Sequence, residues 1–123
     1  MQSTSNSPAT LIQQQLDAYN AKDVEAWLAC YAHDAQQYTL HGELLAAGHF
    51  DMRQRITSRF TEPDLHARLL NRTVMANIVI DLELVTRNFS EGKGSIEMLC
   101  IYEVIDGLIQ KASYSIGEKK LLS

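Results

Sequence analysis

Residues 94–117 read Gly-Ser-Ile-Glu-Met-Leu-Cys-Ile-Tyr-Glu-Val-Ile-Asp-Gly-Leu-Ile-Gln-Lys-Ala-Ser-Tyr-Ser-Ile-Gly. Two apolar runs flank Asp106-Gly107, and that dipeptide between such runs predicts a β-hairpin, because a tight turn needs backbone conformations that glycine accepts. In the first run Ile96, Met98, Cys100, Tyr102 and Val104 share one face, while Glu97, Leu99, Ile101 and Glu103 share the other. Neither face is wholly polar. Both are therefore expected to be covered, one by helices of the same chain and the other by a second protomer.

Upstream of the hairpin, residues 65–75 and 79–87 also read as strands, with turns at Ala76-Asn77 and Ser90-Glu91-Gly92. Residues 48–61 predict a helix that ends at Glu62-Pro63, with Met52, Ile56 and Phe60 inward and Arg53, Arg55 and Arg59 mostly outward. Two short strands are expected at 35–40 and 44–47. Nearer the N-terminus lies a helical hairpin. Ser7 caps its first helix ahead of Pro8, and Leu11, Ile12, Leu16 and Tyr19 form the apolar stripe. Asp23 caps the second helix, where Val24, Trp27, Leu28 and Tyr31 follow helical spacing. Helices first and an antiparallel sheet afterwards make an α+β domain over residues 8–117. Residues 1–7 are expected to be a disordered tail, and residues 118–123 a C-terminal tail.

At 123 residues the chain forms one domain with room for a core. Its 11 basic and 15 acidic residues give a formal charge of −4, which argues against nucleic acid as a partner. Cys30 and Cys100 are expected to be separate, reduced, buried thiols, consistent with a cytoplasmic protein. The first residues lack a basic stretch followed by an apolar one, so no signal peptide is expected, and no apolar run approaches the length of a membrane span. None of His33, His41, His49 and His66 pairs at a metal-ligand spacing, so no metal and no cofactor are expected. Arg53, Arg55, Arg59, Arg68 and Arg72 form a basic cluster that reads as a solvated helix face. One of Asn71 and Arg72 is expected to point inward and pair with Asp81 or Glu83.

Leu16-Asp17-Ala18-Tyr19-Asn20-Ala21-Lys22-Asp23, Ala29-Cys30-Tyr31-Ala32-His33-Asp34-Ala35 and Ile101-Tyr102-Glu103-Val104-Ile105-Asp106-Gly107, in this order, resemble the nuclear transport factor 2-like (NTF2-like) superfamily. That superfamily includes SnoaL-like and ketosteroid isomerase-like proteins. The resemblance implies a cone: three N-terminal helices packed in a curved, mainly antiparallel sheet, with a pocket at the open end. It also implies a homodimer through the outer sheet face. Position by position, the catalytic tyrosine and the two catalytic acids of ketosteroid isomerases fall on Gln15, Thr39 and Cys100, so steroid isomerisation is not expected.

The inner faces nominate a ligand pocket of Gln15, Tyr19, Tyr38, Ile56, Phe60, Met98, Cys100, Tyr102, Tyr114 and Ile116. This is an apolar wall with a few polar tips, suited to a small hydrophobic molecule. Cys100 reads as an inert thiol, and no clear acid/base pair stands out. Two readings follow. One is a SnoaL-like isomerase-, cyclase- or hydratase-type enzyme on a small hydrophobic molecule. The other is a non-catalytic dimeric ligand-binding or protein-interaction module.

Overall fold

A computed structural model describes residues 7–122. Helix α1 (Pro8–Asn20) begins where Ser7 Oγ accepts from the Thr10 amide at 3.2 Å, and α2 (Val24–Leu28) begins where Asp23 accepts from the Ala26 amide at 3.0 Å. The expected tail at 1–7 otherwise lies outside the described residues. Strands β1 (Tyr31–Thr39) and β2 (Leu44–Ala47) follow, then α3 (Gly48–Arg59). Four long strands complete the chain: β3 (His66–Met75), β4 (Ile78–Phe89), β5 (Gly92–Ile105) and β6 (Leu108–Leu121).

The strands form one curved six-stranded sheet in the order β2-β1-β6-β5-β4-β3, antiparallel except for the parallel pair β1 and β6. Ile105 pairs with Leu108 around Asp106 and Gly107, both at positive φ (53° and 80°), which is the two-residue turn expected of Asp-Gly. Helices α1, α2 and α3 pack on the concave face. Leu11, Ile12, Leu28, Met52 and Ile56 bury against Val79, Val85, Ile109 and Ala112 there.

Two local expectations are corrected. Tyr31, placed on the α2 stripe, instead opens β1: α2 ends at Leu28, and the Ile109 amide donates to Cys30 O at 2.9 Å, drawing the chain into the sheet. Residues 118–121, expected as part of a tail, continue β6, where Lys119, Lys120 and Leu121 pair with Ile96, Ser95 and Gly94. A Cβ on Gly94 would lie 2.6 Å from Lys120 O, so this close pairing needs glycine. The expectation that one of Asn71 and Arg72 points inward to pair with Asp81 or Glu83 is met by Arg72 and Asp81, and the choice follows from an irregularity in β3 between Leu69 and Asn71. The extra residue reverses the alternation, so Arg72 rather than Asn71 points inward. Its guanidinium clasps Asp81 through Nε–Oδ1 at 2.7 Å and Nη2–Oδ2 at 2.8 Å, and reaches Gln13 Oε1 of α1 at 3.0 Å.

Cys30 and Cys100 are free and buried. Among the described residues no helix is long and apolar enough to cross a membrane, and no cluster of side chains has the make-up of a metal site.

Candidate functional site

A cavity of about 150 Å³ opens between the helices and the concave face of the sheet. Its inner wall follows from strand alternation. Register places Glu83 beside Met98, Val85 beside Ile96, Met98 beside Ile116 and Cys100 beside Tyr114, all on the face turned toward the helices. Gln15, Leu16 and Tyr19 of α1, Trp27 of α2 and Ile56 of α3 supply the opposite wall.

Eight of the ten residues nominated from sequence line this cavity: Gln15, Tyr19, Ile56, Met98, Cys100, Tyr102, Tyr114 and Ile116. Phe60 does not. It caps the end of α3 and packs edge-on against Tyr19 with ring centroids 5.5 Å apart. Tyr38 does not either, because β1 turns Ala35 and Gln37 inward and Tyr38 outward. Tyr38 donates to Gln36 Oε1 at 2.7 Å and lies beneath Lys111 Nζ. The hydrogen-bonding side chain β1 contributes to the cavity is Gln37, whose Nε2 donates to Tyr114 Oη at 2.8 Å. Arg55 Nη1 in turn donates to Gln37 Oε1 at 3.1 Å.

Gln15 is 4% exposed and held in one orientation. The Trp27 indole N–H and the Tyr31 hydroxyl both donate to it, at 2.9 and 3.0 Å. An indole N–H is only a donor, so the oxygen of the amide must face it. The two N–H groups of Gln15 Nε2 remain free among the described residues, on a side chain that lines the cavity. Gln15 therefore offers hydrogen-bond donors to whatever enters.

Glu83 was missed as a site residue. It lines the cavity on β4, is 5% exposed, and forms no ion pair or hydrogen bond to nitrogen among the described residues. Burial raises its pKa to about 7; the neighbouring Asp81 carboxylate adds to the rise, while Arg72 and the Cys100 thiol oppose it. Asp81, fully buried, is clasped by Arg72, and Glu83 has no such partner. Burial and the charge of Glu83 push the Cys100 thiol well up, which keeps it inert toward nucleophilic chemistry. Burial likewise raises Tyr31, Tyr102 and Tyr114, so these phenols stay protonated. The signal for Glu83 lay in Val79-Ile80-Asp81-Leu82-Glu83-Leu84-Val85: two acids at alternate positions of an apolar strand must both face inward if either does.

The basic cluster is also corrected. Arg55 and Arg59 line the cavity, together with Arg87. Arg87 holds Glu62 through paired bonds of 2.8 Å, and Arg59 Nε approaches the same carboxylate at 3.5 Å. Arg53 pairs with Glu25, and Arg72 with Asp81. His41 and His66 are exposed and stand apart from the cavity.

The SnoaL-like domain family matches residues 12–112 of the chain. No protein of curated function matches it. An uncharacterised cystatin-fold protein from Novosphingobium aromaticivorans has a similar structure at 20% identity and a TM-score of 0.83, over 89% of this chain and 98% of its own. A proposed ketosteroid isomerase from Kribbella flavida is similar at 16% identity and TM-score 0.78, over 94% and 82%. IdmH from Streptomyces antibioticus, a proposed polyketide cyclase, is similar at 16% identity and TM-score 0.73, over 90% and 92%. At these identities the likeness is one of fold, and it is the NTF2-like, ketosteroid isomerase-like fold.

Proposed function

The chain belongs to the SnoaL-like domain family, and we propose that it is an enzyme of that kind, with Glu83 moving a proton on a small hydrophobic substrate that carries a carbonyl. The observation that carries this reading is Glu83 itself: a carboxyl facing an apolar cavity, without a cationic partner, with a pKa of about 7. A group that titrates near neutral pH can take a proton as carboxylate and return it as acid within one cycle. The free N–H groups of Gln15 suit the negative charge that develops on a carbonyl oxygen when a neighbouring C–H is deprotonated. Isomerase-, cyclase- and hydratase-type reactions all include such a proton transfer. The absence of acids at Thr39 and Cys100 argues against the ketosteroid isomerase arrangement, and Glu83 supplies a carboxyl from a different strand.

The test uses a generic probe. In deuterated buffer, 2-tetralone exchanges its α-protons when a base removes them, and proton NMR follows the loss. The expected result is exchange above buffer that rises with pH through a midpoint of about 7 and disappears in Glu83→Gln. Equal exchange by the wild type and Glu83→Gln would remove Glu83 from the proposal. A non-catalytic binding module would show binding of the ketone without exchange.

A further inference from the structure

Three guanidinium groups, Arg55, Arg59 and Arg87, line the cavity, and they are not balanced. Arg59 and Arg87 share the single carboxylate of Glu62. Arg55 has no carboxylate partner among the described residues; its one bond is to the neutral Gln37 amide at 3.1 Å. This surplus of positive charge stands in a protein whose formal net charge is −4. Arg55 is exposed, while Arg59 and Arg87 are half-buried, so the charge lies on the solvent side of the cavity. Ile116, also a lining residue, is 64% exposed and extends the apolar wall to the same rim.

We propose that the ligand is an amphiphilic anion: an apolar body enters the cavity, and a carboxylate stays at the rim on Arg55, with Arg59 and Arg87 adding to the attraction. Arginine suits this task because its planar fork matches a carboxylate in two parallel hydrogen bonds. The Gln37 amide holds the Arg55 side chain at the rim, and Tyr114 in turn fixes Gln37. Three elements, α3, β1 and β6, thus position one guanidinium ahead of any ligand. The inference deepens the reading above by naming a substrate class. It rests on the cavity being the ligand site, and not on Glu83 being the base.

The test compares 2-naphthylacetic acid with its methyl ester, two probes that share the same apolar body. Binding is measured by calorimetry at pH 6, where Glu83 is mostly neutral and the probe acid is ionised. The acid is expected to bind roughly ten-fold more tightly than the ester, the worth of one charge-assisted contact. Arg55→Gln should abolish this preference by weakening the acid alone. Arg55→Lys should retain part of it, and 0.5 M salt should reduce it in the wild type. Glu83→Gln should keep the preference even where it has lost proton exchange, which separates this inference from the catalytic one. An ester that binds as well as the acid, an unchanged preference in Arg55→Gln, or no binding of either probe would overturn it.

Discussion

Glu83 and Asp81 are two residues apart on β4, both buried, and their environments differ in one respect. Asp81 meets a guanidinium in a two-bond clasp, whereas Glu83 meets a thiol and an apolar cavity. The same side-chain chemistry therefore yields a structural ion pair at one position and a proton-transfer candidate at the next. Sequence reading placed either Asn71 or Arg72 opposite this pair of acids but could not choose between the two, because the choice depends on an irregularity in β3 at Leu69-Leu70-Asn71. Gln15 was legible as a lining residue. Its role as a donor was not, since that depends on Trp27 and Tyr31 both turning toward its oxygen.

The elements were mostly legible where apolar periodicity was strong. The hairpin of β5 and β6, the capping by Ser7 and Asp23, and the end of α3 near Glu62-Pro63 all follow from local signals. A strand was also legible at β1, but its parity was not, because Ala35-Gln36-Gln37-Tyr38-Thr39 carries too little apolar pattern to fix it. Tyr38 was expected inward, yet tertiary hydrogen bonds from Arg55 and to Tyr114 satisfy Gln37 inside instead. The clasp between β3 and β4 gives a prediction at this scale. Arg72→Ala would leave Asp81 buried and unpaired, and should cost about 3–5 kcal/mol of stability. Urea unfolding would measure the loss. A change below about 1 kcal/mol would contradict a buried clasp that the fold depends on.

At the scale of the whole molecule, the convex face of the sheet has its own pattern. Leu82, Leu99 and Ile101 lie side by side there, only half-buried, with Glu97 and Glu103 at the margins. An apolar centre with a polar edge suits a two-fold interface. The expected result is a homodimer by light scattering at micromolar concentration, weakened by Ile101→Asp. A monomer at that concentration would contradict it.

The stability of the whole molecule also reports on the buried carboxyl. Its pKa is raised from the ordinary 4.5 to about 7, so the folded state holds its proton more tightly than the unfolded chain does. The sign follows. Below about pH 4.5 both states are protonated and Glu83 carries no penalty. As pH rises toward 7 the unfolded chain ionises first, and stability falls until the folded group ionises too. The full penalty, on the order of 3 kcal/mol, is present above pH 7. Glu83→Gln removes the titration. The measurement is urea unfolding of wild type and Glu83→Gln between pH 5 and pH 8.5. The expected result is a difference that shifts in favour of the variant as pH rises and levels off above pH 7. A difference that stays constant across that range would contradict a buried, unpaired Glu83, and with it the proton-transfer site.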